Sequence, residues 1–238
     1  MKQEITVCFA GIGIGISSRF DFMERFCKEY LTDEKPLFSV SVTDEQRTAE
    51  LQIATEPTTE EYAEALCLYR EIAERIPLFD RVVFHGAAIA YEGKAYIFTA
   101  PSKTGKSTHI RLWKQVFGEK VTIINGDKPI LSLKDGNITV HGTPFAGKEN
   151  WQNNVSAPLG GICFLTQGKD NTISHVSPKD AFTKLYLQTY KPYSEEAAEK
   201  TLEIIRRICT YPCFHLSCDI SENAVKASFA ALVKGESK

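Results

Sequence analysis

The run Ala100-Pro101-Ser102-Lys103-Thr104-Gly105-Lys106-Ser107-Thr108 decides the fold, because a Gly-Lys-Ser-Thr segment acquires chemical meaning only when a strand delivers it and a helix carries it away. Upstream, Ala95-Tyr96-Ile97-Phe98-Thr99 is the aromatic and aliphatic run of a buried strand. Downstream, Ile110, Trp113 and Phe117 recur at helical spacing until Gly118 closes the helix. A loop in that position offers free backbone N–H groups over residues 102–107 and the positive end of a helix dipole, both suited to a polyphosphate. Lys106 then meets the β and γ oxygens and Ser107 ligates Mg²⁺. Ser102, Lys103, Thr104, Gly105, Lys106, Ser107 and Thr108 are therefore the expected nucleotide contacts, with ATP and Mg²⁺ as the expected cofactors. Ala100 occupies the first position, where glycine is usual; its methyl group narrows the turn without blocking a loop of ordinary dihedrals.

Working outward, Val82–Tyr91, Glu92-Gly93 and Lys94–Thr99 read as a hairpin that feeds the loop. If Tyr91 pairs with Lys94, His85 falls opposite Ala100 at the loop mouth, which makes His85 a candidate site residue; Gly86 beside it signals close backbone approach. Val121-Thr122-Ile123-Ile124-Asn125-Gly126-Asp127 is an apolar strand that delivers one acid at its end. Beside a phosphate loop, such an acid holds Mg²⁺ or takes a proton, so Ser107 and Asp127 are the expected metal ligands. A second hairpin, Ile130–Leu133 and Ile138–His141 around Asp135-Gly136, leads into the polar segment 142–150, a natural lid that carries Lys148 toward substrate.

Further strands are expected at Gly160–Leu165, Ile173–Val176 and Cys213–Cys218. Helices are expected from Ser177-Pro178-x-Asp180 to about Thr189, over Glu195–Cys209 and over Glu222–Val233. The first 80 residues read as strands near 4–16 and 37–43, a helix near 20–31, and a helix near 60–76 opened by a Thr58-x-x-Glu61 capping box. Gly11-Ile12-Gly13-Ile14-Gly15 resembles a dinucleotide fingerprint, but its third glycine comes one residue early, and Ile/Gly alternation fits one buried face of a strand. Cys209, Cys213, His215 and Cys218 have the look of a zinc set, yet strand alternation points Cys213 and His215 away from Cys218.

With 238 residues, 43% of them hydrophobic, the chain can bury a large core, and it divides into an N-terminal α+β subdomain (1–80) and a catalytic domain (81–238). A net charge of −2 gives no general pull toward nucleic acid or anionic membrane. Seven cysteines, an odd number set mostly in apolar runs, fit a reducing cytoplasm, and the apolar runs fall short of a membrane span.

The succession Phe84-His85-Gly86, Gly105-Lys106-Ser107-Thr108, Asn125-Gly126-Asp127-Lys128-Pro129 and Gly142–Lys148 resembles the HPr serine kinase/phosphatase catalytic domain, and more closely the compact bacterial proteins related to it, over residues 81–165. The resemblance implies an α/β (α+β) fold: a twisted mixed β core flanked by helices, like that of ATP-dependent phosphoenolpyruvate carboxykinase. It implies that His85 lies near the transferred phosphoryl group, that Lys106 and Ser107 hold phosphate and metal, and that Asp127 is the second member of a paired acid motif. Relatives usually carry Asp-Asp where this chain has Gly126-Asp127, and often glycine at the position of Lys103. The expected activity is Mg²⁺- and ATP-dependent transfer of the γ-phosphoryl group to a hydroxyl, that of serine in a peptide, protein or small molecule. The rival is a nucleotide-binding regulatory or maturation partner without useful turnover, and the resemblance also allows the reverse, phosphatase, reaction.

Overall fold

In the computed structural model, which describes residues 3–54 and 56–235, the chain builds two sheets. The first has three strands: β1 (Gln3–Phe9) and β2 (Ile12–Ser18) pair antiparallel, and β3 (Phe38–Ser41) joins β2 in parallel. What reads in sequence as one strand over 4–16 is a hairpin. Ala10 (φ 50°) and Gly11 (φ 75°) both occupy the left-handed region, as a tight two-residue turn requires. The Ile/Gly alternation belongs to β2 alone, which is buried on both faces. Its glycines admit a crossing segment: a Cβ on Gly13 would stand 3.1 Å from the Lys35 carbonyl.

The helix expected over 20–31 is a short α1 (Phe22–Phe26) followed by a 3₁₀ turn, and α2 (Asp44–Ile53) had no counterpart in the sequence reading. α2 is polar, so its apolar period is weak, but Thr43 and Gln46 form a reciprocal capping box that starts it. α3 (Glu60–Arg75) is capped by Thr59, one residue later than expected, with its hydroxyl accepting from the Tyr62 N–H at 3.2 Å.

The main sheet has nine strands. β4 (Arg81–Val83), β5 (Ala87–Tyr91), β6 (Lys94–Thr99), β7 (Val121–Asn125), β8 (Ile130–Lys134), β9 (Asn137–His141), β10 (Ser156–Gln167), β11 (Thr172–His175) and β12 (Cys213–Cys218) run in the order β4-β8-β9-β10-β6-β5-β7, with β12 and β11 branching from β10. The segment 82–91 is thus two strands rather than one. β4 pairs with β8 at one end of the sheet, and the chain turns at Phe84-His85-Gly86 before β5 pairs with β6. The β5–β6 register is the one counted from Tyr91↔Lys94 and holds as far as Ala87↔Phe98. β10 bends the sheet: its first residues pair antiparallel with β9, its later ones parallel with β6 and β12, and the register shifts between Leu159 and Gly161.

α4 (Lys106–Phe117) and α7 (Glu222–Leu232) cover one face of this mixed sheet, and α5 (Pro178–Gln188) and α6 (Glu195–Ile208) the other. Strand β6 shows the division: Ala95 and Ile97 enter the α5/α6 core, Tyr96 and Phe98 the α4/α7 core. The N-terminal elements close a third core against Val83, Ile130 and Phe145. No described helix is long and apolar enough to cross a membrane.

Polar groups in the α4/α7 core make stability depend on pH. His109 is 2% exposed; its Nε2 accepts from Trp113 Nε1–H at 3.3 Å, and its Nδ1 has no partner among the described residues. Burial lowers its pKa from 6.5 to about 4, and His141, half-buried with the Arg81 charge nearby, falls likewise to about 4. Both are neutral in the folded chain, so the unfolded chain binds more protons between these values and stability falls as pH drops from 6.5 toward 4. His109 alone is expected to contribute on the order of 3 kcal/mol to that loss. Urea denaturation at pH 7 and pH 4.5 measures it, and His109→Gln is expected to flatten the slope; an unchanged slope would remove His109 as its cause.

Candidate functional site

Three loops meet at one edge of the main sheet because of strand direction. β5 is antiparallel to both β6 and β7, so the C-terminal ends of β6 and β7 and the start of β5 share that edge. The loop after β6 carries residues 100–105, the turn after β7 carries Asp127, and the segment before β5 carries His85. They line one cavity of about 560 Å³ with Ser102, Lys103, Gly105, Lys106, Ser107, Thr108, Lys148 and Glu149. Of the expected site residues only Thr104 stays off the wall, its hydroxyl donating to the Pro101 carbonyl at 2.8 Å.

Gly105 precedes α4 at φ 114°, a conformation that L side chains rarely adopt. Lys103 sits at φ 66°, also left-handed, which accounts for glycine being at home there. Among the described residues, only one backbone N–H of the loop has a carbonyl partner, that of Thr104 on Pro101 at 3.4 Å. The others at the head of α4 are open to an anion. Lys106 is buried and folds its ammonium onto the carbonyls of Ala100 at 3.1 Å and Pro101 at 3.5 Å, with no carboxylate in ion-pair range among the described residues. Burial lowers its pKa, with Asp127 opposing.

Asp127 is held from several sides. The Asn125 side-chain carbonyl accepts from the N–H groups of Asp127 at 2.8 Å and Lys128 at 2.7 Å, while its amide nitrogen donates to the Thr143 carbonyl at 2.9 Å. One carboxylate oxygen stands 3.3 Å from His85 Nε2; the other receives the Lys128 ammonium. Burial pushes the Asp127 pKa upward, but the His85 hydrogen bond and the Lys128 charge outweigh it and bring it to about 2. His85 is in turn fixed by Gln188: Nδ1 lies 2.8 Å from the Gln188 side-chain oxygen, and the His85 N–H donates to the Gln188 backbone carbonyl at 2.7 Å. The carboxylate can only accept, so Nε2 carries a proton in this arrangement.

Sequence reasoning placed His85 and Asp127 near one loop but missed that they touch, and it missed Gln188, which α5 brings in from 103 residues away. Asn125 stood in the quoted Asn-Gly-Asp run without a role; its type and position before a turn were the available signal. Lys148 lies on the cavity rim, its ammonium 2.7 Å from Glu56 of the N-terminal part, a partner the sequence gave no hint of.

Gly126, which precedes Asp127, leaves little room for a side chain. A Cβ there would lie 3.0 Å from the Ala146 carbonyl and 3.4 Å from the Trp151 carbonyl, and its N–H already donates to Trp151 at 2.8 Å. Gly126→Asp is expected to cost about 1–3 kcal/mol by forcing the 146–151 segment outward. Thermal denaturation checks this, and a variant as stable as the native chain would show that the segment yields freely.

Fold and site together define a mixed α/β protein whose candidate site lies where the loops after two parallel-running strands meet the head of a helix. No family model matches the chain, and no curated protein matches it. A solved structure does: the HPr(Ser) kinase/phosphatase from Coxiella burnetii is similar at a TM-score of 0.38 and 9% identity, covering 64% of this chain and 88% of that one. This is a distant structural similarity.

Proposed function

We propose that the chain is an ATP- and Mg²⁺-dependent phosphotransferase that passes the γ-phosphoryl group to a hydroxyl such as that of serine. One observation carries the reading: an open ring of loop N–H groups, a buried cation (Lys106) and a fixed His85–Asp127 pair face the same cavity. Phosphoryl transfer asks a protein mainly for position and charge neutralisation, and these groups supply both.

The donor set fits the nucleotide and its metal. Loop N–H groups without acceptors suit phosphate oxygens, and Lys106 would exchange two backbone carbonyls for them. Ser107 and Asp127 would hold Mg²⁺, with phosphate oxygens and water completing a hard-oxygen shell that neutralises charge on the transferring group. Asp127 receives the acceptor's proton. Because its pKa is about 2, it acts chiefly by orienting the hydroxyl, and the proton leaves late, as a loose transition state allows. His85, locked between Gln188 and Asp127, holds the Asp127 carboxylate in place beside the transferring group. Residues 81–238 carry the chemistry and residues 1–80 form the α+β part beside it; the setting is the cytoplasm.

One observation favours the rival reading of a nucleotide-binding partner without turnover: the residue before Asp127 is a glycine whose surroundings crowd any side chain placed there. Calorimetric titration with ATP, with and without Mg²⁺, alongside γ-phosphate transfer to N-acetylserinamide and to a seryl peptide, separates the two. Metal-dependent binding with transfer is the expected result; binding without transfer to any hydroxyl offered would select the rival, and no binding would remove both.

A further inference from the structure

Beside the nucleotide cavity lies a second one of about 550 Å³, and the two share Glu56, Gly147 and Lys148 as a common wall. Its chemistry is different. Phe26, Tyr62, Leu66, Tyr69 and Phe145 make its walls, contributed by α1, α3 and the 142–150 segment. The rings brace one another: Tyr69 and Phe145 centroids are 4.7 Å apart, Phe26 and Phe145 5.3 Å. A mostly apolar hollow of this size with a few polar groups at one end has the form of a small-molecule site.

The polar end adjoins the chemistry. Lys128, whose ammonium sits on the Asp127 carboxylate, also lines this second cavity and lies 5.9 Å from the centroid of the Tyr69 ring. A hydroxyl at that end meets Lys128, whose ammonium bridges to Asp127 in the neighbouring cavity, while the body attached to it extends along the aromatic walls. The three ionic groups are already matched, Lys128 with Asp127 and Lys148 with Glu56, so no charge is left over to recognise an ion. Charged bodies would be desolvated here without a partner, whereas apolar ones gain by burial. Tyr69, a wall residue, carries a hydroxyl that can serve as one polar contact for an alcohol.

We infer that this second cavity is the acceptor subsite, and that it takes a compact, uncharged hydroxyl compound with an aromatic or branched apolar body. The assignment rests on the phosphotransferase reading for its name as acceptor site, but binding in the cavity does not. It also gives the N-terminal residues a task, since α1 and α3 supply Phe26, Tyr62, Leu66 and Tyr69 to the wall.

The test uses the full chain, 3-phenyl-1-propanol as the probe and 1,3-propanediol as its polar control, with binding read by saturation-transfer NMR. Leu66→Trp fills the cavity from a half-buried position, and Tyr62→Glu puts a charge into its wall from a residue 40% exposed, where misfolding is a smaller risk. Phenylpropanol is expected to bind and propanediol not, and each substitution is expected to weaken phenylpropanol about tenfold or more. Mg²⁺-ATP titrations on the same samples are expected to be unchanged. Equal signals from the two alcohols, or phenylpropanol binding untouched in both folded variants, overturns the subsite. If ATP binds while the alcohol is not discriminated, the subsite falls and the nucleotide reading stands. If the alcohol binds selectively and ATP does not bind, the cavity is a ligand site and the phosphotransferase reading falls.

Discussion

Replacing Lys106 with alanine is expected to abolish most nucleotide affinity while leaving the nucleotide-free protein at least as stable as before. The two halves of that result have one cause. Lys106 is buried with its ammonium on two backbone carbonyls, and among the described residues no carboxylate lies within ion-pair distance. Burial therefore disfavours its charged form, which lowers its pKa and weighs on the folded state. Alanine removes that cost together with the stem's packing, so the melting temperature without ligand is expected to stay level or rise. Bound phosphate would reverse the balance, because a charge-assisted bond to an anion in a partly desolvated cavity contributes about 1.5–3 kcal/mol, equivalent to a loss of roughly 10- to 100-fold in affinity. Calorimetry and thermal denaturation on one preparation read both. A fall in both affinity and ligand-free stability would mark Lys106 as a structural residue, and unchanged affinity would remove it from the phosphate site.

Such residues combine local and non-local information, and only the local part was legible in the sequence. The strand before the loop, the helix after it and the tight turns at Glu92-Gly93 and Asp135-Gly136 are written in adjacent residues, and so is the β5–β6 register, since a two-residue turn fixes every later pair. The order of the strands is not written there. That β5 lies between β6 and β7 is what brings His85 against Asp127, and that pairing joins segments separated by a helix. Gln188 reaches His85 because α5 packs across the sheet and ends at its edge, a matter of tertiary docking. The N-terminal errors have an opposite origin. Ala10 is an unusual residue for a left-handed turn, so the hairpin there was masked by a continuous apolar pattern, and α2 was masked by too little of one.

The non-local contacts make Asp127→Asn the sharpest probe of the proposed chemistry. The substitution keeps the size of the side chain and its Asn125-held backbone but removes the charge that faces His85 and Lys128 and that would hold the proposed metal. Turnover is expected to fall by about 10²–10⁴, the range for loss of a group that handles the proton of the reacting hydroxyl. ATP affinity is expected to fall far less, since Lys106 and the loop N–H groups are untouched. Stability provides a second, independent readout. The Asp127 pKa is lowered from 3.8 to about 2, so its contribution is fully present above 3.8 and is lost as pH falls through 2. At pH 7 the asparagine variant is therefore expected to be less stable by about 2 kcal/mol, with the difference closing as acid protonates the native carboxylate. The same pKa keeps Asp127 ionised throughout the physiological range, so it contributes no inflection to the native pH–rate profile between pH 5 and 9. Turnover that survives in Asp127→Asn would show that the acceptor's proton does not have to pass to the Asp127 carboxylate. Turnover that vanishes together with nucleotide binding would make Asp127 chiefly a ligand for the metal–nucleotide complex, because a group needed only for proton transfer leaves the bound state intact.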